Sequence, residues 1–237
     1  MNQPNKEYLK FLAYSGVNYF LKNKPNNYFD QYKITERSAK ITDNKTLIDI
    51  KSIEDLKDYV ESTESELKKT ANKVVISDGN QNSEIIIIGE APGKDEDQNG
   101  KPFIGLAGKL LNKMLNAINI NRKDVYVTNV IPWRPPNNRT PTEKEILEYL
   151  PYLQKQIEII NPKILLLLGG TAAKAILATP LSLNKLRGMW HSYSTININK
   201  KIDVLVSYHP AFLLRSPQYK KEAWEDLKML QKKIEHE

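Results

Sequence analysis

The sequence predicts an α/β fold, a three-layer sandwich in which helices flank a central, mainly parallel four-stranded sheet. Two features support this prediction. Four short, uninterrupted apolar runs follow residue 84, and such runs are typical of strands that are buried on both faces. Stretches with helical spacing of apolar residues separate the runs, and this alternation is characteristic of parallel strands joined by crossover helices.

The apolar patterns also give the bounds of the individual elements. The apolar runs predict strands at residues 85–88, 125–127, 164–168 and 204–206. Apolar residues at helical spacing predict helices at residues 107–117, 142–160, 171–177 and 219–234. In a sheet of this kind ligands bind at the carboxyl ends of the strands, so the residues directly after each strand are the candidates for a functional site.

The first 60 residues form a predicted N-terminal helical extension, and residues 61–237 form the α/β domain. Aromatic and aliphatic residues between Tyr8 and Leu12 lie at helical spacing and predict a helix over residues 7–21. Ser52, followed three residues later by Asp55, is typical of a capped helix start and predicts a helix around residues 52–59. Both packing on the domain and recruitment of a partner are consistent with such an extension.

The composition predicts a globular protein of the cytoplasm. Hydrophobic residues make up 40% and charged residues 27% of the chain, as in ordinary folded domains. No window is apolar enough to span a membrane, and the first residues lack the apolar core of a signal peptide. The net charge of +7 suits a polyanionic partner such as DNA. A genome rich in A and T, which favours lysine, asparagine and isoleucine, explains the same charge equally well.

Polar side chains follow the first two predicted strands. Glu90 comes directly after the first strand, in a turn where Gly89 and Gly93 let backbone N–H groups approach a ligand. An ordinary turn with a solvated carboxylate is the alternative for Glu90. Asn129 follows the second strand, where an amide is either a base-reading group or a turn former.

The third and fourth strands also end in polar residues. Thr171 follows the third strand and can cap the next helix, whose free N–H groups can hold a phosphate. A plain helix cap is the alternative for Thr171. His209 follows the fourth strand, and a single histidine is usually structural. Because four strand ends deliver polar groups to one edge of the sheet, the sequence predicts a site at that edge.

Four motifs, in their order and spacing, carry a resemblance to a known family. The motifs are GEAPGKDEDQNGKPFIGLAGKLL, TNVIPWRPPNNRTPT, LLLLGGTAAKAIL and HPAFLLRSP. Over about residues 60–230 the chain resembles the family 4 uracil-DNA glycosylases of the uracil-DNA glycosylase superfamily. The resemblance implies that family's fold and a DNA repair activity that hydrolyses the N-glycosidic bond of uracil. It also implies uracil-containing DNA, single- or double-stranded, as the partner.

The resemblance implies two catalytic residues. Glu90 is expected to orient the attacking water or to stabilise the cationic sugar, and His209 to donate a hydrogen bond to uracil O2. The most active relatives carry an aspartate where this chain has Ala91. Glu90 is therefore the candidate carboxylate.

The same resemblance implies how uracil is bound after it has been flipped out of the DNA. Phe103 is expected to stack on the base, and the Asn129 amide to pair with N3–H and O4. Backbone N–H groups near Glu90 and Ala91 are expected to bind O2. Glu96 is expected to lie near C5, where it helps to exclude the methyl group of thymine.

The last motif and several basic residues are expected to contact DNA. Leu213 or Leu214 is expected to wedge into the vacated base stack, while Arg215 holds a phosphate. A loop tucked onto the core is the alternative for this motif. Further candidate phosphate contacts are Arg134, Arg139, Lys185 and the helix start at Thr171. Solvated surface charge is the alternative for the basic residues.

The chain departs from the family at its metal site. Family members typically hold a four-iron cluster with four cysteines, and this sequence has no cysteine. Spacing from the neighbouring motifs places the ligand positions at Ser62, Ser65, Trp133 and near Tyr149. Hydroxyl groups and an indole are poor iron ligands, so we expect a protein without the cluster or another metal. In such a protein Trp133 is expected to fill the space by apolar packing.

Two other functions are compatible with these motifs. One is a superfamily relative that acts on another deaminated base or stays attached to its product. The covalent relatives carry an altered first motif and a basic insertion before the histidine motif, and neither is found in this sequence. The other is a DNA-binding accessory protein that has lost catalysis together with its cluster. The presence of Glu90, Phe103, Asn129 and His209 favours catalysis, and a monomer is expected for an enzyme that must straddle a duplex.

Overall fold

The computed structural model describes residues 47–195, 197–198 and 200–235. Within these residues the middle layer is a six-stranded sheet with the strand order β1-β3-β2-β4-β6-β5. Its strands are β1 (Ser77–Gly79), β2 (Ile85–Gly89), β3 (Tyr126–Asn129), β4 (Ile164–Leu168), β5 (Trp190–Tyr193) and β6 (Ile202–Ser207). The four inner strands are parallel, whereas β1 and β5 pair antiparallel at the two edges. The predicted fold class is therefore confirmed, but the predicted number of four strands is wrong.

The two strands that the sequence analysis missed are the edge strands. β1 has the sequence Ser-Asp-Gly and β5 the sequence Trp-His-Ser-Tyr, so neither contains a continuous apolar run. An edge strand has a neighbour on one side only and is less completely covered, so polar residues are tolerated there. An apolar run identifies only those strands that are buried on both faces.

Helices cover both faces of the sheet. Those in the described part of the chain are α1 (Ile53–Ser62), α2 (Lys94–Asn99), α3 (Leu106–Asn116), α4 (Glu143–Ile160), α5 (Gly170–Leu177), α6 (Leu183–Leu186), α7 (Pro210–Arg215) and α8 (Lys220–Glu235). The helices predicted after residue 100 correspond to α3, α4, α5 and α8, with each end within one residue of its predicted place. None of the described helices is both long and apolar enough to cross a membrane.

The alternation of side chains along β2 separates two apolar layers. Ile86 and Ile88 pack in one core cluster with residues of α1, α4 and α5. Ile85 and Ile87 pack in a second cluster, on the opposite face, with residues of α3 and α8. All four isoleucines are buried, which explains why this strand appears in the sequence as an uninterrupted apolar run.

Helix α1 spans the expected boundary at residue 60. Ser52 caps this helix as predicted, since its hydroxyl accepts a hydrogen bond from the Asp55 N–H. Ile50, Leu56 and Val60 are buried in the same core cluster as the sheet. Residues 47–60 thus pack on the α/β domain, whereas the helix predicted at residues 7–21 lies outside the described residues.

Candidate active site

Asn129 and Phe103 meet beside Gly89, at the carboxyl ends of β2 and β3. Asn129 ends β3, whereas Phe103 belongs to the segment between α2 and α3. Gly89 and Asn129 are paired in the register of these two strands. A methyl group placed at Gly89 would lie 2.5 Å from Asn129 Oδ1 and 2.5 Å from Phe103 Cζ. The missing side chain of Gly89 therefore makes the room in which amide and ring meet. The sequence predicts that Gly89 lets backbone N–H groups approach a ligand, and a glycine at the end of a buried strand also indicates this further role, as space for two side chains.

The side chains of Phe103 and Asn129 are both buried, at 5% and 4% exposure. No hydrogen bond joins the Asn129 side-chain amide to another of the described residues. An amide without a protein partner can form its hydrogen bonds with a ligand or with water that reaches it. The amide of Asn129 is thus available to a polar ligand at this edge of the sheet.

His209 lies against the ring of Phe103. The two ring centroids are 5.4 Å apart, and the ring planes are inclined by 32°. A methyl group placed at Gly169, directly after β4, would lie 3.2 Å from His209 Cβ. The ends of β4 and β6 therefore meet at the same place as Phe103.

The surroundings of His209 fix its protonation. His209 precedes α7 as its N-cap, and Nδ1 accepts a hydrogen bond from the Ala211 N–H at 3.1 Å. An accepting Nδ1 carries no proton, so the proton of the neutral ring is on Nε2. Burial, and then the positive charge of Arg215, lower the pKa of His209 to about 4. His209 is consequently a neutral hydrogen-bond donor near pH 7.

Glu90 is joined to Thr171 across the ends of two neighbouring strands. The Thr171 hydroxyl donates a hydrogen bond to Glu90 Oε2. The prediction that Thr171 caps the next helix is wrong, because Gly169 occupies the N-cap position of α5 and Thr171 lies inside the helix. The backbone carbonyl of Glu90 accepts a hydrogen bond from the Ile131 N–H at 3.2 Å. Both the side chain and the main chain of Glu90 are therefore held in place.

Glu96 has a structural task in the same loop region. Its Oε2 accepts a hydrogen bond from the Gly93 N–H, which caps α2. Its Oε1 accepts hydrogen bonds from the N–H groups of Ile104 and Gly105, at 3.1 and 3.0 Å. Glu96 thus ties α2 to the segment that carries Phe103. The expected contact of Glu96 with C5 of uracil stays a prediction.

The HPAFLLR motif forms the short helix α7 where a loop was expected. Leu213 is buried, at 1% exposure, in the core cluster that includes α3 and α8. The prediction that Leu213 wedges into DNA is therefore wrong, because its side chain is already packed inside the protein. Leu214 is 43% exposed and Arg215 is also exposed, so these two residues can reach a ligand.

The candidate phosphate contacts outside α7 differ in their surroundings. The Arg139 guanidinium donates to both carboxylate oxygens of Glu145, which also closes the capping box at the start of α4. Arg134 Nε donates a hydrogen bond to Asn138 Oδ1 at 2.7 Å. Lys185 is exposed on α6. Arg139 is thus already paired with a carboxylate, whereas the side chain of Lys185 is accessible.

The residues at the four positions expected for cluster ligands form hydrogen bonds or pack in the apolar core. The Tyr149 hydroxyl donates a hydrogen bond to Ser65 Oγ at 2.5 Å, and the Ser62 hydroxyl donates to the Tyr59 carbonyl at 2.8 Å. Trp133 is 4% exposed and belongs to the same core cluster as Tyr149. These side chains do not fit an iron–sulfur cluster, which requires thiolate ligands. Among the described residues no group of three or more His, Cys, Asp or Glu side chains could hold a metal ion.

Comparisons with known proteins identify the family to which this chain belongs. The profile of the uracil DNA glycosylase superfamily matches residues 76–228. A Type-4 uracil-DNA glycosylase of Archaeoglobus fulgidus is 39% identical over 186 residues, which cover 76% of this chain and 92% of that protein. The Type-4 uracil-DNA glycosylase of Saccharolobus solfataricus is 41% identical over 71% of this chain and 79% of its own length. That of Sulfurisphaera tokodaii is 41% identical over 76% and 83%, respectively. With matches of this extent and with the residues of its motifs gathered at one edge of the sheet, the chain belongs to the uracil DNA glycosylase superfamily.

Proposed function

We propose that this chain excises uracil from DNA by hydrolysis of the bond between N1 of the base and C1′ of the deoxyribose. The observation that supports this proposal most directly is the convergence of Glu90, Phe103, Asn129 and His209 on one edge of the sheet. Together these side chains offer an aromatic surface, a base-pairing amide, a neutral donor and a carboxylate. Each of these groups meets one requirement of a flipped and departing uracil.

Phe103 and Asn129 recognise the base. The Phe103 ring stacks on uracil, Asn129 Oδ1 accepts the N3–H of the base, and Asn129 Nδ2 donates to O4. Cytosine presents the opposite pattern, with an acceptor at N3 and an amino group at C4. A buried amide left mispaired costs about 1 to 3 kcal/mol, which corresponds to roughly a 5- to 150-fold preference for uracil.

Glu90 and His209 stabilise the charges that develop as the bond breaks. The electron pair of the N1–C1′ bond leaves with uracil, and its negative charge is stabilised at O2 by the Nε2–H of His209. Backbone N–H groups near Glu90 and Ala91 assist at O2. Positive charge develops on the sugar beside the Glu90 carboxylate. Thr171 holds Oε2 of that carboxylate, and Oε1 orients the water whose oxygen forms the new bond to C1′. The proton that this water releases neutralises the departing uracil anion.

The exposed end of α7 holds the DNA. Leu214 enters the stack that the flipped nucleotide has left, and Arg215 binds a phosphate. Lys185 and Arg134 are further phosphate contacts. The four side chains that carry the proposal belong to one chain, so we propose that a monomer is active. Gel filtration of the protein, alone and with DNA, tests this point.

We also propose that the activity does not require an iron–sulfur cluster. The bond between Tyr149 and Ser65 and the buried Trp133 occupy the ligand positions, so apolar packing and a hydrogen bond stabilise this region. Metal analysis of purified protein is expected to give no stoichiometric iron. Iron that co-purifies at four atoms per chain, and whose removal abolishes activity, would refute the proposal.

The decisive assay uses a labelled oligonucleotide that contains one uracil, first single-stranded and then in a duplex. After incubation, alkali cleaves the strand at any abasic site, and a denaturing gel shows the product. We expect cleavage at uracil and none in matched oligonucleotides that carry thymine or cytosine. Intact strands over a range of salt concentration and pH would favour an accessory DNA-binding protein. An adduct that survives denaturation, or cleavage only at another deaminated base, would favour the corresponding superfamily relative.

A further inference from the structure

The backbone at Phe103 adopts an unusual conformation. Its φ is +53°, in the left-handed region that residues with a side chain rarely occupy. Such a conformation costs free energy and persists only where the surrounding contacts hold it. Since the ring of Phe103 is buried against His209, the groups that hold this turn also determine where the ring lies.

Arg122 holds this turn through hydrogen bonds to the main-chain carbonyl groups of Pro102 and Phe103. Arg122 Nη2 donates a hydrogen bond to the Pro102 carbonyl at 2.7 Å, and Nη1 donates to the Phe103 carbonyl at 3.3 Å. The guanidinium is thus shared between two successive carbonyl groups. An ammonium group is a point charge on a flexible stem and does not reproduce this planar, two-pronged geometry.

The side chain of Arg122 is itself held by Asp78, on the edge strand β1. Arg122 Nη2 lies 3.2 Å from Asp78 Oδ2, and the Arg122 side chain is only 18% exposed. Lys101, two residues before Phe103, lies with Nζ 3.5 Å from Asp78 Oδ1. The carboxylate of Asp78 therefore ties both Arg122 and the Phe103 loop to β1.

Two further contacts restrict the same loop. A methyl group placed at Gly108 would lie 1.7 Å from the Phe103 carbonyl oxygen, so α3 packs directly on the turn only because Gly108 has no side chain. On the other side of the loop, Glu96 binds the N–H groups of Ile104 and Gly105. Arg122 thus acts on the carbonyl groups of the loop and Glu96 on its N–H groups.

We propose that Arg122, anchored by Asp78, is a positioning residue that sets the Phe103 ring at the angle needed to stack on uracil. This inference rests on the proposed function, because it assigns Arg122 an effect on excision that is exerted through Phe103. Arg122 hydrogen-bonds the main chain of the Phe103 loop and does not itself contact the base. Its loss therefore lowers the rate of the chemical step more than it weakens binding of the DNA backbone.

The test is a double-mutant cycle between Arg122→Gln and Phe103→Leu. Three quantities are measured for each protein: the single-turnover rate on a uracil duplex, the Kd for that duplex and the Tm. We expect Arg122→Gln to lower the single-turnover rate about 10-fold or more while the Kd changes less than about 2-fold. In the Phe103→Leu background the same substitution is expected to have little further effect on the rate. Any loss of Tm from Arg122→Gln, in contrast, is expected in both backgrounds.

Three other variants sharpen the comparison. Lys123→Gln removes the same charge from the next residue, which is exposed, and is expected to leave the rate unchanged. Arg122→Lys is expected not to restore the rate, because an ammonium group does not bridge two carbonyl groups. If Arg122→Gln does not fold, Asp78→Asn serves in its place, since it removes the carboxylate charge that anchors Arg122 while the guanidinium stays in the protein. Asp78→Asn is expected to lower the rate in the wild-type background only.

The outcomes separate this inference from the proposed function. Equal rate losses in both Phe103 backgrounds, or a wild-type rate for Arg122→Gln, overturn the positioning role and leave uracil excision by the wild-type protein standing. Absence of uracil release by the wild-type protein overturns the proposed function, and the positioning role with it.

Discussion

The Thr171 hydroxyl donates a hydrogen bond to Glu90 Oε2 and so joins two residues that are 81 positions apart in the sequence. Glu90 follows β2, Thr171 lies in the helix that follows β4, and these two strands are direct neighbours in the sheet. The bond fixes one oxygen of the carboxylate. In the proposed mechanism the other oxygen orients the attacking water, so Glu90 and Thr171 are testable as a pair.

Removal of the Glu90 charge is expected to impair catalysis. Glu90→Gln should lower the single-turnover rate by roughly 100-fold or more, the usual contribution of a positioned acid or base. Thr171→Val should lower it about 10-fold, because the carboxylate loses a hydrogen bond to a charged group. Single-turnover excision measures both effects, and Thr140→Val, at an exposed position, is the matched control. Rates near that of the wild type for both Glu90→Gln and Thr171→Val would contradict the assignment.

His209 is expected to stay neutral well below the pH at which an ordinary histidine titrates. Burial and Arg215 lower its pKa to about 4, against about 6.5 for an unperturbed imidazole. Nitrogen-15 NMR of the ring should show a proton on Nε2 and none on Nδ1 between pH 8 and 5. Arg215→Gln should raise the pKa of His209, since it removes the nearby positive charge. A ring that becomes doubly protonated near pH 6.5 would contradict this prediction.

The same shift predicts how stability depends on pH. Because the folded-state pKa of His209 is depressed to about 4, the unfolded chain binds a proton at this site at a higher pH than the folded chain. The contribution of His209 to stability is therefore fully present above about pH 6.5 and is lost as the pH falls toward 4. Urea unfolding should show that the free energy of unfolding falls less between pH 7 and pH 4.5 for His209→Asn than for the wild type, since asparagine does not titrate.

Gly89→Ala is expected to block the site, whereas Gly170→Ala is the matched control. A methyl group at Gly89 collides with both Asn129 and Phe103, while one at Gly170 has no neighbouring atom within 4 Å. Excision by Gly89→Ala should fall about 10-fold or more, because misplaced reacting groups lower the rate steeply. Gly170→Ala should retain the wild-type rate. Equal rates for the two variants would show that the space beside Gly89 is not needed by uracil.

Leu213 and Leu214 are expected to respond in opposite ways to substitution by alanine. Leu213→Ala removes a buried side chain and should lower the free energy of unfolding by about 2 to 5 kcal/mol. Leu214→Ala, at a 43% exposed position, should change stability by less than about 0.5 kcal/mol but should reduce base flipping. Urea unfolding measures stability, and the fluorescence of 2-aminopurine beside uracil reports flipping. Normal flipping by Leu214→Ala would exclude it as the wedge.

Arg215 and Arg139 are expected to differ in their effect on the salt dependence of DNA binding. Arg215 is exposed on α7, whereas the guanidinium of Arg139 is paired with Glu145. Arg215→Gln should reduce the slope of log K against log salt by about 1, the loss of one phosphate contact. Arg139→Gln should leave that slope unchanged. Titration of a duplex at several salt concentrations tests both, and a reduced slope for Arg139→Gln would place Arg139 at the DNA.

The parts of the fold that the sequence predicted share one property: their signal is local. The buried strand β2 and the helix α4, with its cap at Thr142, are specified by residues within one short segment. The edge strand β1 gives no such signal, because an edge strand is less completely covered and its sequence, Ser-Asp-Gly, contains no apolar run. Asp78 was therefore not a candidate residue, although its carboxylate anchors Arg122.

The sequence by itself determined where the inner strands and the main helices lie along the chain and placed Glu90, Asn129 and His209 at strand ends, because apolar runs and the residues that follow them are contiguous in the chain. Only the tertiary structure decided the contacts and surroundings of those residues. The bond from Thr171 to Glu90, the burial that keeps His209 neutral and the burial of Leu213 beside an exposed Leu214 all depend on neighbours that are distant in sequence. Hydrogen bonding, desolvation and packing act between groups that are close in space, and the folded chain alone sets those distances.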